Sequence, residues 1–111
     1  MTELISGNIF IRPMPFDQVG STIEGHAHNF DHTTYVVRGS VRIEALDDAG
    51  NVLRSAVKKA SDGYNWVLIR AGVIHRLTAL EANSLAHCIY AHRTPQGDVV
   101  QDWDGWSPAY E

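Results

Sequence analysis

The sequence predicts an all-β domain of the sandwich or barrel type, on three observations. Short stretches alternate apolar and polar residues with a period of two. Clusters of Gly, Asp and Asn interrupt these stretches at short intervals. No segment sustains the longer period of a helix over several turns, and only Val52 to Ala60 offers a helical alternative to a strand.

Taken in order, Asn8 to Arg12 reads as a short strand ended by Pro13 and Pro15. Gly20 to His28 follows, with Ile23, Gly25 and Ala27 on one face. In Thr33 to Leu46, Val41, Ile43 and Ala45 alternate with Arg42 and Glu44, as one buried and one wet face require. Gly39 breaks that stretch and predicts a turn or bulge between two strands. Asp47 to Asn51 is a turn, and Val52 to Val57 resumes the pattern as the return strand of a hairpin. Asp62-Gly63 and Ala71-Gly72 are further turns, flanking an apolar strand from Trp66 to Ile69 whose tryptophan is expected in the core. His75 to Leu80 and Leu85 to His92 form a last pair around Asn83.

The 111 residues suit one domain spanning 1–111, with a core at about 4–92. The segment 95–111 is rich in aromatic and acidic residues, and is expected to pack on the barrel or on a dimer partner. A net charge of -4 without a Lys/Arg cluster argues against nucleic acid as partner. No apolar run is long enough for a membrane span. Met1-Thr2-Glu3-Leu4 lacks the basic, then apolar, start of a signal peptide. The single cysteine, Cys88, has no internal partner for a disulfide. These features together predict a cytoplasmic protein.

Six histidines are many for so short a chain. His26 and His28 are two apart, so on a strand they share a face, and His32 keeps the same parity. His75 follows the Ala71-Gly72 turn in another strand. Two neighbouring strands can therefore aim four imidazoles at one point, and neutral imidazole suits Zn, Cu, Fe and Ni. His87 and His92 read as surface or hydrogen-bonded core residues.

These residues resemble a known family. Gly20, five residues, His26-x-His28, three residues, His32, six residues and Gly39 reproduce the spacing of the first cupin motif. His32 stands where most metal-binding cupins carry glutamate. The stretch Gly63 to Ala79 is similar to the second motif. Gly72 and His75 match in place, Tyr64 takes the leading glycine position beside Gly63, Arg70 replaces a proline and Ala79 an asparagine. The resemblance implies a cupin jelly-roll β-barrel, the double-stranded β-helix. It also implies that His26, His28, His32 and His75 line its interior, as in a group of small cupins with four histidines. They would hold one divalent transition metal: Fe, Mn, Ni, Cu or Zn.

Four neutral ligands leave such a centre at a charge of about +2, against about +1 with a glutamate, which strengthens it as a Lewis acid and favours anionic ligands. Four protein ligands in an octahedral sphere leave two positions for a chelating substrate, or for substrate and dioxygen. Asp31, Glu24 and Glu44 are candidate carboxylates to orient the imidazoles. Further pocket candidates are Tyr35 and Phe30 as walls, Arg70 as an anchor for a substrate carboxylate, and Cys88 and Tyr90 on the cavity face of the last strand. Cys88 also reads as a plain buried residue.

The function expected is a metal-dependent oxygenase acting on a small chelating molecule. The alternatives are a binding module for a small ligand, an anion among them, and a metal-free sugar isomerase or epimerase. Small cupins commonly pair through sheet edges, so a homodimer is expected.

Overall fold

Alternating segments become strands where each apolar face finds a second sheet to cover it. The computed structural model describes residues 3–99. These form β1 (Leu4–Ser6), β2 (Ile9–Phe16), β3 (Thr22–His26), β4 (His32–Arg38), β5 (Ser40–Leu46), β6 (Val52–Lys59), β7 (Trp66–Ile69), β8 (Ile74–Ala79) and β9 (Ser84–Ala91). All strand pairings are antiparallel. One sheet has the order β1-β2-β9-β4-β7 and the other β3-β8-β5-β6. Among the described residues no helix is long and apolar enough to cross a membrane. Residues 100–111, which carry most of the aromatic segment, lie outside the described residues.

The hairpins follow the expected turns. Gly39 joins β4 to β5 at φ 77°, and a Cβ there would collide with the Ser84 hydroxyl. Asp47 closes the next hairpin, its Oδ1 accepting from the Ala49 and Asn51 amides at 3.0 and 2.8 Å. Val52 to Lys59 is a strand, not a helix.

Three details differ from the reading by pattern. The strand beginning near Asn8 does not stop at Pro13. It runs to Phe16, with Pro13 opposite His87 and Pro15 opposite Leu85. Both prolines are tolerated because β1 covers β2 only from Ile9 to Ile11. Beyond that point β2 is an edge, where an absent N–H is harmless. The short β1 itself carries no alternation that would announce it. Trp66 is 41% exposed rather than core, because it sits opposite Tyr35 on the outer face of β7 and β4.

The register stacks the interior in layers. On one sheet, Met14, Ala86 and Val36 form a row across β2, β9 and β4; on the other, Ile23, Leu77 and Ile43 form a row across β3, β8 and β5. Phe16, Val41 and Ala79 close the packed end. Burying each such Leu, Val or Phe side chain contributes about 1.5–3 kcal/mol. One layer beyond, the inward positions change chemistry. Arg12, Cys88 and Thr34 make the row on the first sheet; His26, His75 and Ala45 make it on the second.

Candidate metal centre

The four histidines come from three parts of the chain. His75 is the second residue of β8 and His26 the last of β3, paired across the strands. The register shifts between Ile23 and His26, so β3 carries one extra residue there. Gly25 sits in this bulge, where a Cβ would approach Leu46 and Ile74 to 3.0 and 3.2 Å. The bulge turns Ile23 and His26 to the same inner face, although simple parity separates them. His28 lies past the end of β3, held where its carbonyl accepts the Gly72 amide at 2.8 Å. His32 opens β4 in the opposite sheet. Its inward direction follows from Thr34 and Val36, not from its parity with His28.

His28, His32 and His75 are buried, while His26 is partly exposed at the rim. Ring nitrogens of His26, His28 and His75 all lie within 4.8 Å of one another. His32 stands beside this set, its ring centroid 5.0 Å from that of His28 and 4.9 Å from that of His75. Two nitrogens on one ion at about 2.1 Å each lie at most about 4.2 Å apart, so small side-chain movements bring the rings of His26, His28 and His75 to one centre. Their chemistry fits a borderline divalent ion.

Backbone carbonyls orient two of the rings. His26 Nδ1 lies 2.8 Å from the carbonyl of Glu24, and His75 Nδ1 lies 3.0 Å from that of Val73. Donation from each Nδ1–H leaves Nε2 as the ligating lone pair. The carboxylates expected in this role are engaged elsewhere. Asp31 accepts from the Ala71 amide at 2.8 Å, and Glu44 pairs with Arg76 at 2.8 Å. Of Glu24 the main chain, not the side chain, makes this contact.

The site is arranged for neutral imidazole. Burial first, then the neighbouring His75, His28, His26 and Arg12, pushes His32 from the usual 6.5 down to about 2. Burial and His26 push His75 down to about 3, against the opposing bond to Val73. Both are therefore unprotonated, and able to ligate, at neutral pH. His32 Nδ1 is buried with no hydrogen-bond partner, and so is the hydroxyl of Thr34.

The histidines open on a cavity of about 130 Å³ that Arg12, Met14, Thr34 and Cys88 also line. Among the described residues no carboxylate lines it. Of the pocket candidates, Cys88 lies in this wall and is 3% exposed. Tyr90 stands one layer outward, stacked against Phe10 at 4.7 Å and Phe30 at 4.1 Å, and Phe30 in turn stacks on His28 at 5.0 Å. Tyr35 and Arg70 are placed away from the cavity. Tyr35 has the opposite parity to Thr34 and faces outward, 39% exposed. Arg70 reaches over the surface, its side chain 73% exposed, with its nearest acid Asp31 at 3.7 Å. His87 and His92 do not belong to the cluster.

Pattern reading missed Arg12. The signal was the alternation Phe10-x-Arg12-x-Met14-x-Phe16, hidden when Pro13 is taken as the end of the strand. Its guanidinium is half-buried, and its Nε donates to Glu3 Oε2 at 3.1 Å.

Neither a protein-family model nor a curated protein sequence matches the chain. Solved structures do match. KdgF from Halomonas sp. is similar at 21% identity and a TM-score of 0.65, over 86% of this chain and 79% of that one. A cupin superfamily protein from Desulfitobacterium hafniense matches at 15% identity and TM-score 0.59, over 79% of this chain and 71% of its own. An oxalate decarboxylase variant from Bacillus subtilis matches at 19% identity and TM-score 0.62, over 86% of this chain but only 25% of the longer one.

The fold is that of a cupin. In this chain the imidazole cluster lies at one end of the jelly roll, between the two sheets. Among the described residues the lining of the cavity combines neutral ligating nitrogens with one guanidinium and no acid. Such a site attracts a cation through lone pairs and an anion through what remains of the positive charge.

Proposed function

We propose that this cupin is a mononuclear metalloenzyme of the oxygenase type, acting on a small chelating organic substrate. The observation that carries the reading is the three-histidine set His26, His28 and His75 at the cavity, with the buried His32 beside it. His32 is proposed as the fourth ligand, in the position where a carboxylate is more usual. The proposed ion is one divalent transition metal, drawn from Fe, Mn, Ni, Cu and Zn. When bound, it supplies Lewis acidity undiminished by an anionic protein ligand.

The protein's own groups do the rest. The Glu24 and Val73 carbonyls fix two imidazoles in one tautomer. Phe10, Tyr90 and Phe30 stack in series against His28 and hold its ring in place. Met14 and Leu77 close the floor, so a ligand enters only as far as the metal layer.

Elemental analysis of protein purified without a metal-affinity column tests the site. We expect one transition metal per chain, lost in His75→Ala. No metal, together with no change in melting temperature on adding Mn, Fe, Ni, Cu or Zn, contradicts it. An oxygen-electrode screen of the loaded protein with diketones, catechols and alkenes then separates turnover from binding alone. Uptake is expected with at least one class; binding without uptake would favour a ligand-binding module.

The chain is further proposed to form a homodimer in a reducing compartment such as the cytoplasm. Support comes from the outer face of β4 and β7, where Tyr35, Val37, Trp66 and Leu68 are each 39–45% exposed and adjacent. Light scattering should give a dimer mass, and Trp66→Arg should shift it to the monomer.

A further inference from the structure

The wall opposite His26 and His75 has a chemistry of its own. Arg12, Cys88 and Thr34 are register partners across β2, β9 and β4, so their side chains stand in one row facing the cavity. Among the described residues Arg12 is the one cation in the lining. Its Nε donates to Glu3 Oε2 at 3.1 Å, and among the described residues Nη1 and Nη2 have no acceptor. Thr34 is 0% exposed, and its hydroxyl is buried without a partner in the same wall. Native structures rarely leave such a hydroxyl unpaired unless something else is meant to pair with it.

We propose that this row is a carboxylate seat: a short organic acid places its carboxylate on Arg12 and Thr34 and a second oxygen donor on the ion held by the histidines. The inference rests on the metal reading above and specifies its substrate class. A guanidinium whose two Nη groups have no acceptor among the described residues matches the two coplanar oxygens of a carboxylate. The Thr34 hydroxyl donates to one of the same oxygens. Glu3 acts as a positioning residue, fixing the plane of the guanidinium through Nε. The cavity of about 130 Å³ admits a short acid. Among the described residues the lining holds a cation and no acid, so the carboxylate supplies the complementary negative charge. Arg70, the arginine that the second motif brings to notice, lies outside this wall and takes no part.

The test uses the full chain with lactate and oxalate as probes and lactamide and oxamide as their neutral counterparts. Co(II) titration is followed first by visible absorption, then each probe is titrated into the Co(II)-loaded and metal-free proteins by calorimetry. We expect Arg12→Gln to bind Co(II) within twofold of wild type but to bind the acids at least tenfold more weakly. The amides should bind wild type at least tenfold more weakly than the acids. Thr34→Val should weaken acid binding severalfold, and Arg12→Lys should recover part of the affinity lost in Arg12→Gln. Circular dichroism and melting temperature check that each variant is folded.

Failure of the metal reading appears as no Co(II) binding by wild type. The metal-free arm still decides the seat, since weak acid binding lost in Arg12→Gln is then expected. Equal binding of acids and amides, acid binding unchanged in Arg12→Gln, inorganic phosphate binding as tightly as the acids, or no acid binding in either arm overturns the proposal.

Discussion

The two ends of the barrel interior are equally buried and chemically opposite. Along β8, Leu77 and Ala79 are 1% and 0% exposed at the packed end, and His75 is 2% exposed at the other. Along β4, Val36 is 0% exposed, as is Thr34, and His32 is 3% exposed. The same strands, two residues further on, exchange an apolar contact for a polar atom. At the packed end every inward group finds a van der Waals neighbour. At the open end His32 Nδ1 and the Thr34 hydroxyl find no hydrogen bond. Burial alone therefore does not mark the site. Burial without polar satisfaction does, because its cost must be offset by what binds there.

Breaking the packed end should have the largest effect. Leu77→Ala removes a fully buried side chain from the middle of the core and should destabilise the protein by about 2–5 kcal/mol. Urea denaturation reads this directly. A change below about 1 kcal/mol would mean that the two ends are not mechanically distinct.

Acid attacks the open end instead. The folded pKa values of His32 and His75, about 2 and about 3, lie below the unfolded 6.5. As pH falls below 6.5 the unfolded chain takes up two protons that the folded chain refuses. Their contribution is therefore complete above 6.5 and is lost progressively as pH falls toward the folded values. The expected loss is about 2 kcal/mol per histidine between pH 7 and pH 5 in metal-free protein. Denaturation curves across this range check it, and His32→Gln should flatten the dependence.

Smaller effects sharpen the contrast. Thr34→Val removes the unpaired buried hydroxyl and should stabilise the metal-free protein by about 1 kcal/mol, seen as a higher melting temperature. A stabilising change at a position proposed to bind ligand is the expected trade of stability for function. Arg70→Ala, on an exposed side chain, should leave both stability and metal binding within error.

Much of this was legible in the sequence. The alternation of Val41, Ile43 and Ala45, the Asp47 turn and the break at Gly39 each have a local physical cause, and each appears where the pattern puts it. The histidine spacing likewise brought His26, His28 and His75 together. What pattern could not supply was tertiary. Pro13 and Pro15 end a central strand but not an edge strand, and edge status depends on how short β1 is. The bulge at Gly25 decides which neighbours His26 keeps, and a period of two cannot see it. His32 reaches the cavity from the other sheet, so its parity with His28 was coincidental. The imidazoles are oriented by main-chain carbonyls, which every residue carries and no motif announces. Arg12 was hidden by the same prolines that concealed the length of β2.

The proposed metal centre has His32 in place of the usual carboxylate. X-ray absorption at the K edge of the protein loaded with one Ni(II) or Zn(II) per chain counts imidazole ligands directly, through their multiple scattering. Four imidazoles in wild type and three in His32→Ala are the predicted result. Three in both proteins, with an unchanged edge, would contradict it.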